Sequence, residues 1–251
     1  MKIGGYDIDI LVQGYPGKTV CHGGLGWSTI ALIRGAGRVV LVDVGAFCYR
    51  TPLIKRLADR GLKPADVTDV ILTHCHHDHA INWVLFPKSR ISIGREEMEW
   101  GIKEPWGETP VPELYVKELM GWPTLNLVKP GDEIFPGFTA YAAPGHTPGH
   151  LYFVLKGAEH DAIFSGDSAK NRAEMLSLSA DMTIDPAISK RTMESIWAAW
   201  RARPGNVLIP GHDVPMVLEG GKPKYVGKRE AAIRSWFGDD LEQTTLIELV
   251  V

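Results

Sequence analysis

The chain has 251 residues, of which 45% are hydrophobic and 23% charged, so it is long enough for one large α/β domain or two small ones. Its formal net charge of −3 predicts no general attraction to nucleic acid or to an anionic membrane, and no apolar run reaches the roughly 18 residues that span a bilayer. The N-terminus lacks the apolar core of a secretion signal and the three cysteines are scattered, so we expect a cytoplasmic protein without a disulfide framework.

The first half of the chain alternates β-type runs with helical segments. Strands are predicted, from apolar or alternating runs bounded by glycine and proline, at residues 6–12, 27–34, 38–43, 69–72 and 90–93. Helices are predicted at about 51–60, 80–86 and 95–102. Residues 104–123 interrupt this alternation with Pro, Gly and Trp, and we interpret them as an insertion with one short helix near 113–120.

The second half is richer in strands, which are predicted at residues 125–128, 132–135, 138–142, 151–155, 162–165 and 207–209. Residues 168–185 look irregular. Apolar side chains at helical spacing predict a helix over 186–201, and a final helix is predicted over about 228–237. Each half is a run of strands followed by helices, without a linker between them. We therefore predict a single domain, residues 1–251, with two β-rich layers facing each other and helices outside.

Histidine and aspartate side chains follow several of these strands. Four of them lie within six residues directly after the apolar run 70–72, and three more repeat the strand-then-ligand placement; the set is His74, His76, Asp78, His79, His146, Asp167 and His212. The carboxyl ends of strands are where open α/β sheets place ligand sites. Imidazole and carboxylate are the usual ligands of zinc, and four such groups in one turn suit two neighbouring ions better than one. Cys75 and His77, between the ligands, are predicted to point away from the metals.

In this order the seven residues resemble the signature of the metallo-β-lactamase superfamily, His-x-His-x-Asp-His followed by a distant His, Asp and His. Asp43 resembles the first, non-ligand motif of that family, and we expect it to accept hydrogen bonds from the ligand loop. The resemblance covers the whole chain in element order. It implies an α/β fold, the αββα sandwich, in which two facing mixed β-sheets carry helices on their outer faces and a metal site at the sheet edge.

The resemblance also implies how the ligands are shared. By motif position, His74, His76 and His146 would bind one ion, Asp78, His79 and His212 the other, and Asp167 would bridge them. We expect two divalent metal ions, Zn²⁺ first, with Mn²⁺ or Fe²⁺ as the alternatives. Two ions about 3.5–4 Å apart can hold a bridging hydroxide and polarise a carbonyl oxygen, and Asp78 would take the proton as that hydroxide attacks.

Within the family, the chain length, the ligand spacing and the stretch from Gly145 to His150 resemble the N-acyl homoserine lactonases. This resemblance implies a hydrolase that opens a small lactone or a related cyclic ester or amide. Those enzymes carry a tyrosine three residues after the bridging aspartate, where this chain has Lys170. A lysine there would stabilise an oxyanion or bind a substrate carboxylate; the alternative is a solvated loop residue.

Large aromatic side chains near the loops predict a flat apolar pocket above the metals, lined by Trp27, Phe47, Trp83 and Trp106. The alternative is that they fill the core. His150 is expected to support its loop, while His22 and His160 have no motif context and are expected in loops or at the surface. We expect a small-molecule substrate and a monomer or homodimer.

Three alternative functions stay open at the level of the sequence. They are a thioester hydrolase similar to hydroxyacylglutathione hydrolase, a mononuclear iron dioxygenase similar to the persulfide dioxygenases, and a metal-dependent sensor without turnover. Retention of Asp78, His79 and His212 favours two ions over one.

Overall fold

The computed structural model describes residues 1–21 and 24–250, so the role predicted for His22 lies outside the described residues. The first of its two large sheets contains seven strands in chain order, β1 (Lys2–Ile3), β2 (Tyr6–Val12), β3 (Ile30–Gly35), β4 (Arg38–Val42), β5 (Asp69–Ile71), β6 (Arg90–Gly94) and β7 (Leu125–Val128). Strands β4 to β7 are parallel and the others antiparallel. The register pairs Val42 with Ile71, so the residues that follow β4 and β5 lie side by side.

The second large sheet also contains seven strands, β8 (Glu133–Phe135), β9 (Phe138–Ala142), β10 (Leu151–Leu155), β11 (Ala162–Gly166), β12 (Val207–Pro210), β13 (Met216–Glu219) and β14 (Lys222–Tyr225). Only β11 and β12 are parallel neighbours among these strands. Because Gly166 is paired with Pro210, the loops that begin at Asp167 and Gly211 leave the sheet next to each other.

Helices cover the outer face of each sheet. They are α1 (Arg50–Ala58), α2 (His77–Ala80), α3 (Arg95–Gly101) and α4 (Glu113–Met120) in the first half, and α5 (Arg172–Ser177) and α6 (Pro186–Arg201) in the second. Helix α6 starts as its sequence predicts, with Pro186 at the first position and the Asp185 carboxylate accepting a hydrogen bond from the Ile188 N–H at 2.9 Å.

Three apolar cores separate these layers. One lies between the two sheets and includes Phe138, Phe153 and Phe164. A second packs helices α1, α3 and α4 on the first sheet, and the third packs α5 and α6 on the second sheet through side chains such as Trp197 and Trp200. The order helix, sheet, sheet, helix confirms the αββα sandwich. Within residues 1–21 and 24–250, none of the helices is long and apolar enough to cross a membrane.

Two segments differ from their sequence predictions. The final helix predicted over 228–237 is wrong, since that stretch contains strand β15 (Ala232–Ser235), which pairs in antiparallel fashion with β16 (Thr245–Glu248). The segment 168–185, predicted as irregular, contains helix α5. Its start is capped by Asn171, whose side-chain oxygen accepts a hydrogen bond from the Glu174 N–H at 3.0 Å.

Candidate metal centre

The ligand loop begins where β5 ends and runs into helix α2. His76 is the N-cap of that helix and has extended backbone angles, so His74 and His76 lie on the loop while His79 lies within the first helical turn. His74 and His79 are completely buried, and Asp78 is the most solvent-exposed of the ligand side chains, with 22% of its surface accessible. The change from extended loop to helix therefore turns all four side chains towards one edge of the sandwich.

The seven predicted ligands meet at this edge. The His146 Nε2 atom lies 2.9 Å from His76 Nδ1. The His212 Nε2 atom lies 3.2 Å from His79 Nε2 and 3.3 Å from Asp78 Oδ2. Three groups have ligand atoms within 4.8 Å of one another and could each hold a metal ion; they are His74/His76/His146, His74/His79/Asp167 and Asp78/His79/His212.

Asp167 lies between the two outer groups. Its Oδ2 atom faces His146 Nε2 at 3.4 Å, while its Oδ1 atom lies 3.0 Å from His79 Nε2 and 3.1 Å from His212 Nε2. One carboxylate oxygen is thus directed to each group of histidines. This is the arrangement that a carboxylate bridging two cations requires.

Hydrogen bonds on the outer side of three rings hold Nδ1 and turn Nε2 into the site. The Nδ1 atom of His146 lies 2.9 Å from the Met182 carbonyl oxygen, which only accepts, so this nitrogen carries the proton. The Nδ1 atom of His79 lies 2.8 Å from Asp43 Oδ2 and carries the proton for the same reason. His74 Nδ1 lies 3.0 Å from the Thr73 hydroxyl, whose own proton goes to Asp43 at 2.9 Å. Each Nε2 atom faces the site and can bind a metal when it carries no proton. Burial acts against protonation of His79, but the carboxylates Asp167 and Asp78 outweigh it and raise the pKa of this ring, so a metal at His79 would displace a proton.

Charge within the site is unevenly distributed. Burial, with the neighbouring His146, lowers the pKa of His76 to about 3, and burial lowers the pKa of His146 to about 4. Burial acts against protonation of His212 too, but the carboxylates Asp167 and Asp78 outweigh it and raise its pKa to about 9. The neutral histidines are in the form that binds metal, and the side with two carboxylates attracts positive charge.

Burial and unpaired atoms show that these residues fit divalent cations. His74 Nε2 is buried and has no hydrogen-bond partner among the described residues. Burial disfavours the Asp167 carboxylate, yet the charges of His212 and His79 outweigh it and hold its pKa well below the usual range. An anionic carboxylate and aligned imidazole lone pairs are the donors that zinc and related ions bind.

Two glycines permit the close approach of the loops. Gly166 has φ of +49° and ψ of −142°, a conformation open essentially to glycine alone, and a side chain there would lie 2.6 Å from the Thr73 hydroxyl. A Cβ atom on Gly211 would lie 2.4 Å from Asp167 Oδ1. The glycine at each position lets the backbone of the second sheet pass directly behind the ligands.

Sequence reasoning missed Glu97, which joins two ligand loops. This side chain on helix α3 is fully buried. Its Oε1 atom accepts a hydrogen bond from the Cys75 N–H at 2.9 Å, and its Oε2 atom accepts one from the Thr147 hydroxyl at 2.7 Å. Cys75 and Thr147 are each adjacent to a ligand, so Glu97 fixes the spacing between the loops of His74/His76 and His146. Nothing in the local sequence marks this glutamate, because its partners are distant in the chain.

The residues around the ligands partly follow the sequence predictions. Asp43 accepts hydrogen bonds from the Thr73 N–H at 2.9 Å and from its hydroxyl, as predicted for a residue that supports the ligand loop. His150 also supports the loops, since its Nε2 atom accepts a hydrogen bond from the Asp167 N–H at 3.1 Å. His77 is exposed and Cys75 is buried with a free thiol.

The four predicted pocket aromatics lie in different surroundings. Trp83 is 1% exposed and packs on Trp122 within the core, a burial that does not fit the predicted contact with a substrate. Phe47 and Trp106 are exposed. Trp27 is half-buried and stacks on Tyr15 with ring centroids 4.8 Å apart. The hydroxyl of the adjacent Ser28 donates to the Asp78 carbonyl oxygen at 2.5 Å, so Trp27 lies next to the ligand loop.

Lys170 lies on the other side of the ligands. Its carbonyl oxygen accepts a hydrogen bond from the His212 N–H at 2.8 Å. Burial of His146 is the main cause of the lowered pKa of that ring, and the positive charge of Lys170 lowers it further. Its Nζ atom lies 3.2 Å from Glu174 Oε1, but the geometry makes no hydrogen bond, and the buried ammonium has no hydrogen-bond partner among the described residues. The alternative of a solvated loop lysine is wrong, because the side chain is only 12% exposed.

The fold and the site together define an α/β sandwich protein with a metal-binding cluster at the sheet edge. The family model of the metallo-beta-lactamase superfamily matches residues 23–212, most of the chain. The protein therefore belongs to the metallo-beta-lactamase superfamily, whose members are generally hydrolytic enzymes.

The chain is similar, at low sequence identity, to two curated proteins and to a solved structure. Human metallo-beta-lactamase domain-containing protein 1 is 27% identical over 222 residues, covering 86% of this chain and 74% of that protein. The N-acyl homoserine lactonase of Bacillus thuringiensis is 27% identical over 194 residues, covering 76% of this chain and 62% of the lactonase. A solved structure of AidC, a dizinc quorum-quenching lactonase, has a TM-score of 0.68 at 17% identity and covers 92% of this chain and 97% of AidC, which shows the shared fold.

The role of Glu97 can be tested with an isosteric change. Glu97→Gln replaces one of two acceptor oxygens with a donor that faces another donor, which should lower the free energy of unfolding by about 1–3 kcal/mol. The variant should also lose zinc faster than wild type on dialysis against a weak chelator. Glu96→Gln changes the exposed neighbour on the same helix and is the matched control. Wild-type zinc retention in Glu97→Gln would show that the two loops keep their spacing without this carboxylate.

Proposed function

We propose that this protein is a dinuclear metal-dependent hydrolase that opens a small lactone or a related cyclic ester or amide. The proposal rests on the geometry of Asp167: its two carboxylate oxygens face different groups of histidines at 3.0 to 3.4 Å. His74, His76 and His146 would hold one ion, and Asp78, His79 and His212 the other. Similarity to a named N-acyl homoserine lactonase supports the lactone as the substrate class.

The metals and the protein would contribute different chemistry. Bound divalent ions, for which we propose zinc, supply Lewis acidity and lower the pKa of water towards about 7. The chain contributes the rest: it orients the ring, accepts a proton and stabilises charge on the carbonyl oxygen. The sequence contains no Gly-x-Ser-x-Gly stretch, so a serine nucleophile of that kind is not part of the proposal.

Asp78 is the proposed proton acceptor. It is the most exposed of the seven ligands, and its Oδ2 atom lies 3.3 Å from His212 Nε2 and 3.5 Å from His79 Nε2. Burial would raise its pKa, but the charges of His79 and His212 outweigh burial and lower it, so the side chain is a carboxylate with free acceptor capacity. Its position at the solvent side of the cluster suits proton exchange with the substrate.

Lys170 is the proposed donor to the carbonyl oxygen. Its Nζ atom is buried and has N–H groups that no described residue accepts. Preorganised donors of this kind stabilise negative charge as it develops during acyl transfer. Because Glu174 already balances the lysine charge at 3.2 Å, the pair favours a neutral ring carbonyl over a substrate carboxylate. Trp27, beside the ligand loop, is the proposed wall of the ring pocket.

A lactone panel tests the proposed reaction. Purified protein loaded with zinc should release acid from at least one small lactone or cyclic amide, and the activity should fall to background after chelation and return when zinc is added. The reason is that the bound ions would supply the Lewis acidity and the reactive water, so removal of the ions removes the reactive centre. Hydrolysis of glutathione thioesters without any turnover of lactones or lactams would contradict the proposal and indicate a thioester hydrolase.

Substitution of Lys170 tests the donor role. Lys170→Met should leave the metal content unchanged and lower kcat by about 10²-fold, the effect expected when one oxyanion donor is removed. Lys190→Met changes an exposed lysine and is the matched control. Lys170→Arg, which keeps the charge beside Glu174, should recover part of the activity. Wild-type kinetics in Lys170→Met, with normal metal content and thermal midpoint, would eliminate the donor role.

A further inference from the structure

The chain beyond residue 212, where the family match ends, returns to the metal edge. After the β13–β14 hairpin, the segment 226–231 contacts Gln13, the residue that follows strand β2. The Gln13 side chain donates to the Lys228 carbonyl oxygen at 3.0 Å and accepts from the Glu230 N–H at 2.9 Å. Both backbone contacts flank Arg229 and fix its position along the edge.

Arg229 pairs with a buried carboxylate directly after a metal ligand. Its Nη2 atom donates to Asp213 Oδ1 at 2.6 Å, and Asp213 is 1% exposed. The guanidinium carbon lies 5.7 Å from the ring centroid of Tyr15 and 5.5 Å from that of Tyr225. The arginine side chain is only 18% exposed. The two aromatic rings and the Asp213 carboxylate together fix the position of its guanidinium group.

The Asp213 carboxylate also binds the loops around it. Its Oδ2 atom accepts hydrogen bonds from the Arg172 N–H at 3.0 Å and from the Tyr225 hydroxyl at 3.1 Å. Its Oδ1 atom accepts one from the Val214 N–H at 2.8 Å. The carboxylate therefore connects the His212 loop, the start of helix α5 and the C-terminal segment, and Arg229 supplies its cationic partner.

We propose that Arg229 is a positioning residue for the metal ligand His212. It acts through Asp213, because loss of the guanidinium would leave an uncompensated buried charge directly after His212 and destabilise the loop that holds this ligand. His212 belongs to the group with Asp78 and His79 and not to the group with His74, His76 and His146. Loss of the pair should therefore weaken one metal position and leave the other. This inference rests on the dinuclear site of the proposed function.

A cobalt titration separates the two metal positions. Apo wild type and Arg229→Met are titrated with Co²⁺, with the visible absorbance of bound cobalt as the readout and a competing chelator to set the free concentration. Wild type should take up two ions. In Arg229→Met one ion should bind with wild-type affinity and the other about 10–100-fold more weakly, the range typical when a residue that orients a ligand is lost. Arg234→Met, an exposed arginine in the same C-terminal region, should match wild type.

Further variants distinguish positioning from general stability. Arg229→Lys keeps the charge and should recover part of the weak-site affinity. Asp213→Asn should weaken the same ion, and the double variant Arg229→Met/Asp213→Asn should cost less than the sum of the single changes, because both act through one pair. The double variant leaves no unpaired buried charge, so it also provides the test if Arg229→Met does not fold.

The outcomes that overturn the inference are distinct. Two ions bound with wild-type affinity in Arg229→Met, or an equal weakening of both ions, would reject the positioning role and leave the proposed hydrolase intact. Fewer than two ions in wild type would reject both proposals.

Discussion

The contact on which the rest of the structure depends is the one between the Asp167 carboxylate and histidines from three parts of the chain. His79, His146 and His212 surround it at 3.0 to 3.4 Å, on segments that follow strands of both sheets. Several of the rings are buried with their ring nitrogens directed at one another, as in the 2.9 Å approach of His146 Nε2 to His76 Nδ1. The fold thus brings the Asp167 carboxylate and these histidines together in an arrangement that a bound cation would stabilise.

Most of the surrounding residues serve that convergence. The parallel pairs β4–β5 and β11–β12 place the ends of their strands side by side, and the loops that carry the ligands start there. Asp43 and Glu97 are buried carboxylates that accept hydrogen bonds from those loops. Gly166 and Gly211 leave room where a side chain would collide with Thr73 or Asp167. Local backbone geometry, hydrogen bonding and charge thus favour the same arrangement.

The sequence was sufficient for the sandwich and for the convergence of the metal ligands. Strand patterns and the spaced His and Asp residues carry that information locally, and the seven residues meet as their motif implies. Asn171 and Glu174, a cap followed three residues later by an acid, are a sequence signal for the start of helix α5, although the lack of apolar periodicity over 168–185 predicts an irregular segment.

Other features had no local signal. The stretch 228–237 has helix-compatible residues, but its strand β15 depends on pairing with β16, about ten residues further on. Glu97 and Arg229 look like ordinary charged residues until the fold buries their partners Thr147 and Asp213 beside them. The same holds for Trp83, which lies near the ligand loop in the sequence but is directed into the core. Long-range packing decides these positions.

We propose that Asp167 would bridge two cations in one largely buried site. A crystal structure of the zinc-loaded protein, with diffraction measured on both sides of the zinc absorption edge, tests it most directly. We expect two anomalous peaks, one among His74, His76 and His146 and one among Asp78, His79 and His212, with an Asp167 oxygen bound to each. A single peak, or an Asp167 carboxylate that binds only one ion, would contradict the account.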